Sequence, residues 1–155
     1  MVLVEITWAK GFTRWTDVPK ATEPVYDGPG FYAVLISQFD KTDKMWKRFK
    51  LLYIGQAYDQ KLRERIPQEH KAYACVQKWL EANAGYEAVV MVGKITKSGS
   101  GVTADLMNCV ECCLIFTNKP DCNTTCKDAY EWKLSLEIIN KGDFSPLKET
   151  SKCQP

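Results

Sequence analysis

Short apolar runs separated by turn residues set the rhythm of this chain, and the spacing within each run predicts its element. Gly28-Pro29-Gly30 is turn chemistry, and Phe31 to Ile36, aromatic and branched throughout, reads as a strand leaving that turn. Ser37 to Arg48 is polar and basic, which predicts an exposed connection. Lys50 to Ile54 reads as a second strand, stopped by Gly55, and so short a link favours an antiparallel pair over a crossover. Between residues 60 and 84, Leu62, Ile66, Ala74, Val76, Trp79 and Leu80 recur at near-helical intervals. Pro67 divides that stretch into two predicted helices, as the first residue of the second, and Gly85 is the expected stop. Glu87 to Ile95 reads as a third strand and Lys97 to Gly101 as a loop. Thr103 is placed to cap a helix running to about Phe116, with a loop from Asn118 to Thr125. Trp132, Leu134, Leu136 and Ile138 alternate strictly, which predicts a late strand ending at Asn140 to Asp143.

Strands and helices in this mixed order predict a small α/β fold of the α+β type, with helices packed on the faces of a sheet. No repeat or linker divides the chain, so residues 1–155 are expected to form one domain. Its core spans about residues 28–124, preceded by an N-terminal arm, 1–27, and followed by an extension, 125–155, ending in a polar tail from Lys148. The arm holds Trp8, Phe12, Trp15 and Val18 without an obvious period and is expected to lie loosely on the core.

Composition changes this picture little. The chain is 45% hydrophobic and 26% charged, an ordinary globular balance that excludes disorder, collagen-like repeats and coiled coils. No apolar run is long enough to suggest a membrane span, and Glu5 with Lys10 spoils a signal peptide, so a cytoplasmic location is expected. A formal charge of +2 neither demands nor excludes a polyanionic partner. Seven cysteines would leave one over in a full disulfide framework, and the expected state is reduced, with cysteines as small core residues. The spacing of Cys109, Cys112, Cys122 and Cys126 also admits a zinc or iron–sulfur site.

Two features suggest chemistry. Glu111 interrupts the otherwise apolar segment from Val110 to Phe116, where Leu106, Cys109, Val110 and Cys113 form a helical core stripe. A carboxylate there needs a salt-bridge partner, a solvent-facing edge or a divalent metal, because an isolated buried charge is costly. Phenols and cations also gather around one hairpin: Tyr32 and Tyr53 lie on its strands, and Lys61, Arg63, Arg65, His70 and Lys71 follow. Hydroxyls that orient or deprotonate water, with cations that absorb phosphorane charge, suit a phosphodiester. His70 is the sole histidine, which excludes a poly-histidine metal site. Lys41, Lys44, Lys47, Arg48 and Lys50, interleaved with Trp46 and Phe49, could contact nucleic acid, although Asp40 and Asp43 fit an ordinary solvated loop equally well.

These residues, in this order, resemble the GIY-YIG endonuclease superfamily. The likeness runs through Gly30-Phe31-Tyr32, Tyr53-Ile54-Gly55, Leu62-x-x-Arg65-Ile66, His70, Glu111-x-x-Leu114-Ile115 and Pro120-x-x-Asn123, and it covers about residues 28–124. It implies a small three-stranded antiparallel central sheet flanked by helices, to which the late strand and the arm are additions. It also implies a nuclease that hydrolyses DNA, or RNA, with one Mg2+ or Mn2+ ion. On that likeness Tyr32 would activate water, Tyr53 would support it, Arg65 would stabilise the phosphorane and His70 would assist. Glu111 would be the one protein metal ligand, and Asn123 would hold the site loop in place. Counting from Tyr53 alone favours Arg63 instead of Arg65. The alternative function is a catalytically inactive nucleic-acid- or protein-binding module. A nucleoid-associated location and a homodimer are both compatible with the reading.

Overall fold

The computed structural model describes residues 1–68 and 71–155. Its centre is a curled seven-stranded mixed sheet. Strand β1 is Val2–Trp8, β2 Thr13–Arg14, β3 Gly30–Asp40, β4 Met45–Ala57, β5 Glu87–Ser98, β6 Leu136–Gly142 and β7 Thr150–Cys153. Six of them run in the order β4-β3-β5-β1-β6-β7, and β2 pairs separately with β5. All neighbours are antiparallel except β1 and β6, which run parallel. Helix α1 is Leu62–Arg65, α2 Lys71–Ala82 and α3 Ala104–Asn118.

The sheet is buried on both faces at its middle. In β3, Phe31, Ala33 and Leu35 join one apolar cluster with α3, while Tyr32, Val34 and Ile36 join another with Leu62, Ile66 and Val76. A strand covered on both sides must be apolar without interruption, which is why its sequence shows a run and not an alternation. Thr103 caps α3 as its spacing predicts, its hydroxyl accepting from the Leu106 N–H at 3.2 Å.

The expected small three-stranded sheet flanked by helices is not what the chain forms. Strands β4, β3 and β5 do lie side by side and antiparallel, but they make up only part of a larger sheet. The loose arm is in fact β1, wedged between β5 and β6, with Val4, Ile6 and Trp8 buried. The alternation of Val2, Val4, Ile6 and Trp8 is its strand signal, hidden in a short polar context. Asn140 fixes the far end, accepting from Trp8 Nε1 at 2.9 Å and donating to the Lys148 carbonyl at 2.8 Å. The polar tail is likewise ordered, because β7 pairs with β6.

Smaller corrections share one cause, the pairing of long strands. The connection expected over 37–48 is mostly strand, since β3 continues to Asp40 and β4 starts at Met45. Gly55 does not stop β4 but pairs with Tyr32 inside the ladder. Pro67 does not open the second helix but lies in a turn, and among the described residues that helix is Lys71–Ala82.

The cysteines are oxidised where reduced thiols were expected. Cys75–Cys122, Cys112–Cys126 and Cys113–Cys153 form disulfides, and Cys109 remains a buried thiol. Because Cys112 and Cys122 take different partners, the four cysteines of the metal reading do not converge on one site. No cluster of three or more His, Cys, Asp or Glu occurs among the described residues.

Candidate functional site

Strand pairing brings the two tyrosines together. Tyr32 faces Gly55 across the β3–β4 ladder and Val34 faces Tyr53, so both phenols project from one face at a diagonal. Their ring centroids are 6.0 Å apart. Gly55 makes this arrangement possible: a Cβ at that position would lie 2.5 Å from the Tyr32 ring and hydroxyl. Tyr32 is fully buried, and its hydroxyl meets no hydrogen-bond partner of good geometry, although Tyr53 is close enough to perturb it. Burial pushes the Tyr32 phenol above its ordinary pKa, Tyr53 and Glu111 add to the rise, and Arg65 opposes it. Tyr53 is raised by burial and then Glu111, again against Arg65.

Helices α1 and α3 supply the charges. Arg65 and Glu111 line one pocket of about 560 Å³ with Gln56, Asp59 and Asn108. Glu111 also lines a second pocket, about 220 Å³, with Tyr53, Asn123 and Thr124. Burial raises the Glu111 carboxyl from 4.5 to about 7, against the pull of Arg65. Among the described residues Glu111 has no ion-pair partner within 4.0 Å, so Arg65 influences it from a distance. A divalent cation fits this residue set: a half-buried carboxylate without a salt bridge, beside the orphaned amide oxygen of Gln56.

The two arginines separate clearly. Arg63 is occupied, donating to Asp27 at 2.9 and 3.2 Å and to the Ala21 carbonyl, and so ties α1 to the chain before β3. Among the described residues Arg65 has a long contact with Gln68, 3.4 Å, and it lines the pocket that holds Glu111. Leu62 and Ile66, both fully buried, fix this rotation of the helix.

Asn123 pins the loop after α3 to the sheet edge. Its buried amide accepts from the Ile54 N–H at 2.9 Å and donates to the Ile54 carbonyl at 3.0 Å, completing two groups that edge strand β4 would leave unpaired. The neighbouring Cys122 N–H bonds the Leu52 carbonyl at 2.7 Å, and its disulfide reaches α2 at Cys75. Cys112, next to Glu111, is joined to Cys126 at the far end of the same loop.

Tyr32, Tyr53, Arg65, Glu111 and Asn123 therefore belong to one neighbourhood. His70 lies outside the described residues. The basic segment is neutralised in part: Lys47 pairs with Asp40 and Asp43, and Lys50 pairs with Asp121 at 3.1 Å and lies over Trp79. Sequence reasoning missed Gln56 and Asn108, whose side chains bond each other beside Glu111. Their signal was available: Gln56 directly follows Tyr53-Ile54-Gly55, and Asn108 is a polar residue three positions before Glu111 on the same helix face.

No protein-family model, curated protein or solved structure matches the chain. The likeness to the endonucleases thus rests on the residues alone.

Proposed function

We propose that this chain is a metal-dependent endonuclease that hydrolyses phosphodiester bonds in nucleic acid, DNA in the first place. The observation that carries the reading is the convergence of Tyr53, Arg65 and Glu111 on one pair of adjoining pockets, with Tyr32 buried beside Tyr53 at a ring separation of 6.0 Å. The wider fold does not contribute, because the sheet is not the one that the sequence resemblance implies.

The residues divide the work by charge. A divalent cation at Glu111 would supply Lewis-acid stabilisation of the phosphoryl oxygens and would lower neighbouring pKa values. Arg65 stabilises the negative charge that grows on the phosphorane as water attacks and the strand's oxygen departs. Tyr32 receives the water's proton only as a phenolate, and its burial opposes that state, so it depends on positive charge from Arg65 and from the loaded site. Tyr53 orients the hydroxyl group beside it, and Asn123 holds the strand that bears Tyr53.

Three disulfides match an oxidising compartment better than the cytosol expected from the sequence, and we extend the proposal to that location. Supercoiled plasmid incubated with the protein tests the activity. Nicking with Mg2+ or Mn2+ that stops with chelator supports it. Inertness toward every DNA and RNA form would leave a binding module, and the ion pairs that occupy Lys47 and Lys50 would then favour a protein partner over nucleic acid.

A further inference from the structure

We propose that Gln56 supplies a second protein oxygen toward the hydrated divalent cation at Glu111, and that Asn108 is the residue that positions it. This rests on the metal-dependent reading above and names residues that reading does not use. Among the described residues, two buried side-chain oxygens or nitrogens lack a partner, Tyr32 Oη and Gln56 Oε1, and both belong to this site. Elsewhere buried polar side chains are paired, as at Asn123 and Asn140.

The amide of Gln56 is held in one orientation. Its Nε2 donates to Asn108 Oδ1, which commits the nitrogen and leaves Oε1 without a protein donor. Asn108 and Glu111 are three residues apart on α3, so their side chains share a helix face. Gln56, Asn108 and Glu111 line the same pocket, together with Asp59 and Arg65. Two carboxylates against one guanidinium give the pocket a net negative charge when both are ionised. An orphaned acceptor beside such carboxylates repels an anion and suits a hard cation with its water shell, whose ligands are oxygens. Partners of this kind typically change metal affinity about 10–100-fold.

The test is binding of Mn2+ alone, followed by the loss of the free-ion paramagnetic resonance signal, in wild type and four variants. Gln56→Met keeps the length and removes the oxygen; its affinity should fall by at least about tenfold while its metal-free melting point holds or rises. Gln56→Glu replaces the amide with a stronger oxygen donor, so it should bind at least as tightly as wild type and gain more in melting point from Mn2+. Asn108→Ala frees the amide to rotate and should weaken binding to an intermediate degree. Gln56→Met with wild-type affinity, beside a Glu111→Gln that no longer binds, overturns this inference alone. Glu111→Gln with wild-type affinity overturns the metal site itself and the inference with it.

Discussion

Glu111 is where the physical chemistry is sharpest. Its carboxyl is raised from 4.5 to about 7 by burial, so the folded protein holds a proton there that the unfolded chain releases at lower pH. Stability is unpenalised below about pH 4.5 and falls as pH rises toward 7, where the carboxylate becomes charged in its pocket. Glu111→Gln is neutral throughout. The variant should melt with wild type near pH 4 and higher than wild type at pH 8, by on the order of 1–3 kcal/mol. Equal melting points at both pH values would mean that the carboxylate is solvated, and a variant melting below wild type at pH 8 would mean that it is salt-bridged. Gly55 makes a second residue-scale prediction. An added Cβ would meet the Tyr32 ring at 2.5 Å, so Gly55→Ala should cost about 1–3 kcal/mol and displace the phenol. Denaturant titration checks the cost, and an unchanged midpoint would reject the close approach.

At the scale of elements, α1 assigns different tasks to its two arginines. Arg63 clamps the helix to Asp27 and Ala21, whereas Arg65 looks into the pocket. Arg63→Ala should lower the melting point and leave most turnover. Arg65→Ala should keep the melting point and reduce turnover by about 10³–10⁵, the range known for arginines in phosphoryl transfer. Equal losses, or the larger loss at Arg63, would reject the division. The rotation behind it was legible, because Leu62 and Ile66 are an i, i+4 pair that only one face of a helix can bury. So was the α3 cap, since Thr103 precedes the apolar stripe. The length of β3 and β4 was not legible. Ser37 to Arg48 is polar because one end of a long hairpin extends past the core, and polarity there reads as loop.

For the whole molecule, long-range pairing decided what local pattern left open. β1 takes its place beside β5 and parallel to β6, some 130 residues away, and nothing near Val2 announces those partners. The sequence pointed to reduced thiols, because neither oxidation nor which cysteines meet can be read without tertiary structure: Cys113 reaches Cys153 on β7, and Cys75 reaches Cys122 beside the site. Denatured without reductant, the protein should therefore show one reactive thiol of seven, at Cys109. Seven reactive thiols would contradict the oxidised fold. The bridges span 14 to 47 residues, and each is worth roughly 2–4 kcal/mol, so reductant should lower the melting point by many degrees. Because two bridges anchor the loop bearing Asn123, reductant should also loosen the site before the sheet melts.

In the proposed reaction Glu111 holds the metal for phosphodiester hydrolysis. Plasmid cleavage by wild type and Glu111→Gln, side by side at pH 8 with Mg2+ or Mn2+ and then with chelator, tests it most directly. Wild type should nick the plasmid until chelator is added, and Glu111→Gln should be inactive while melting no lower than wild type. A Glu111→Gln protein that cuts DNA normally would contradict the account.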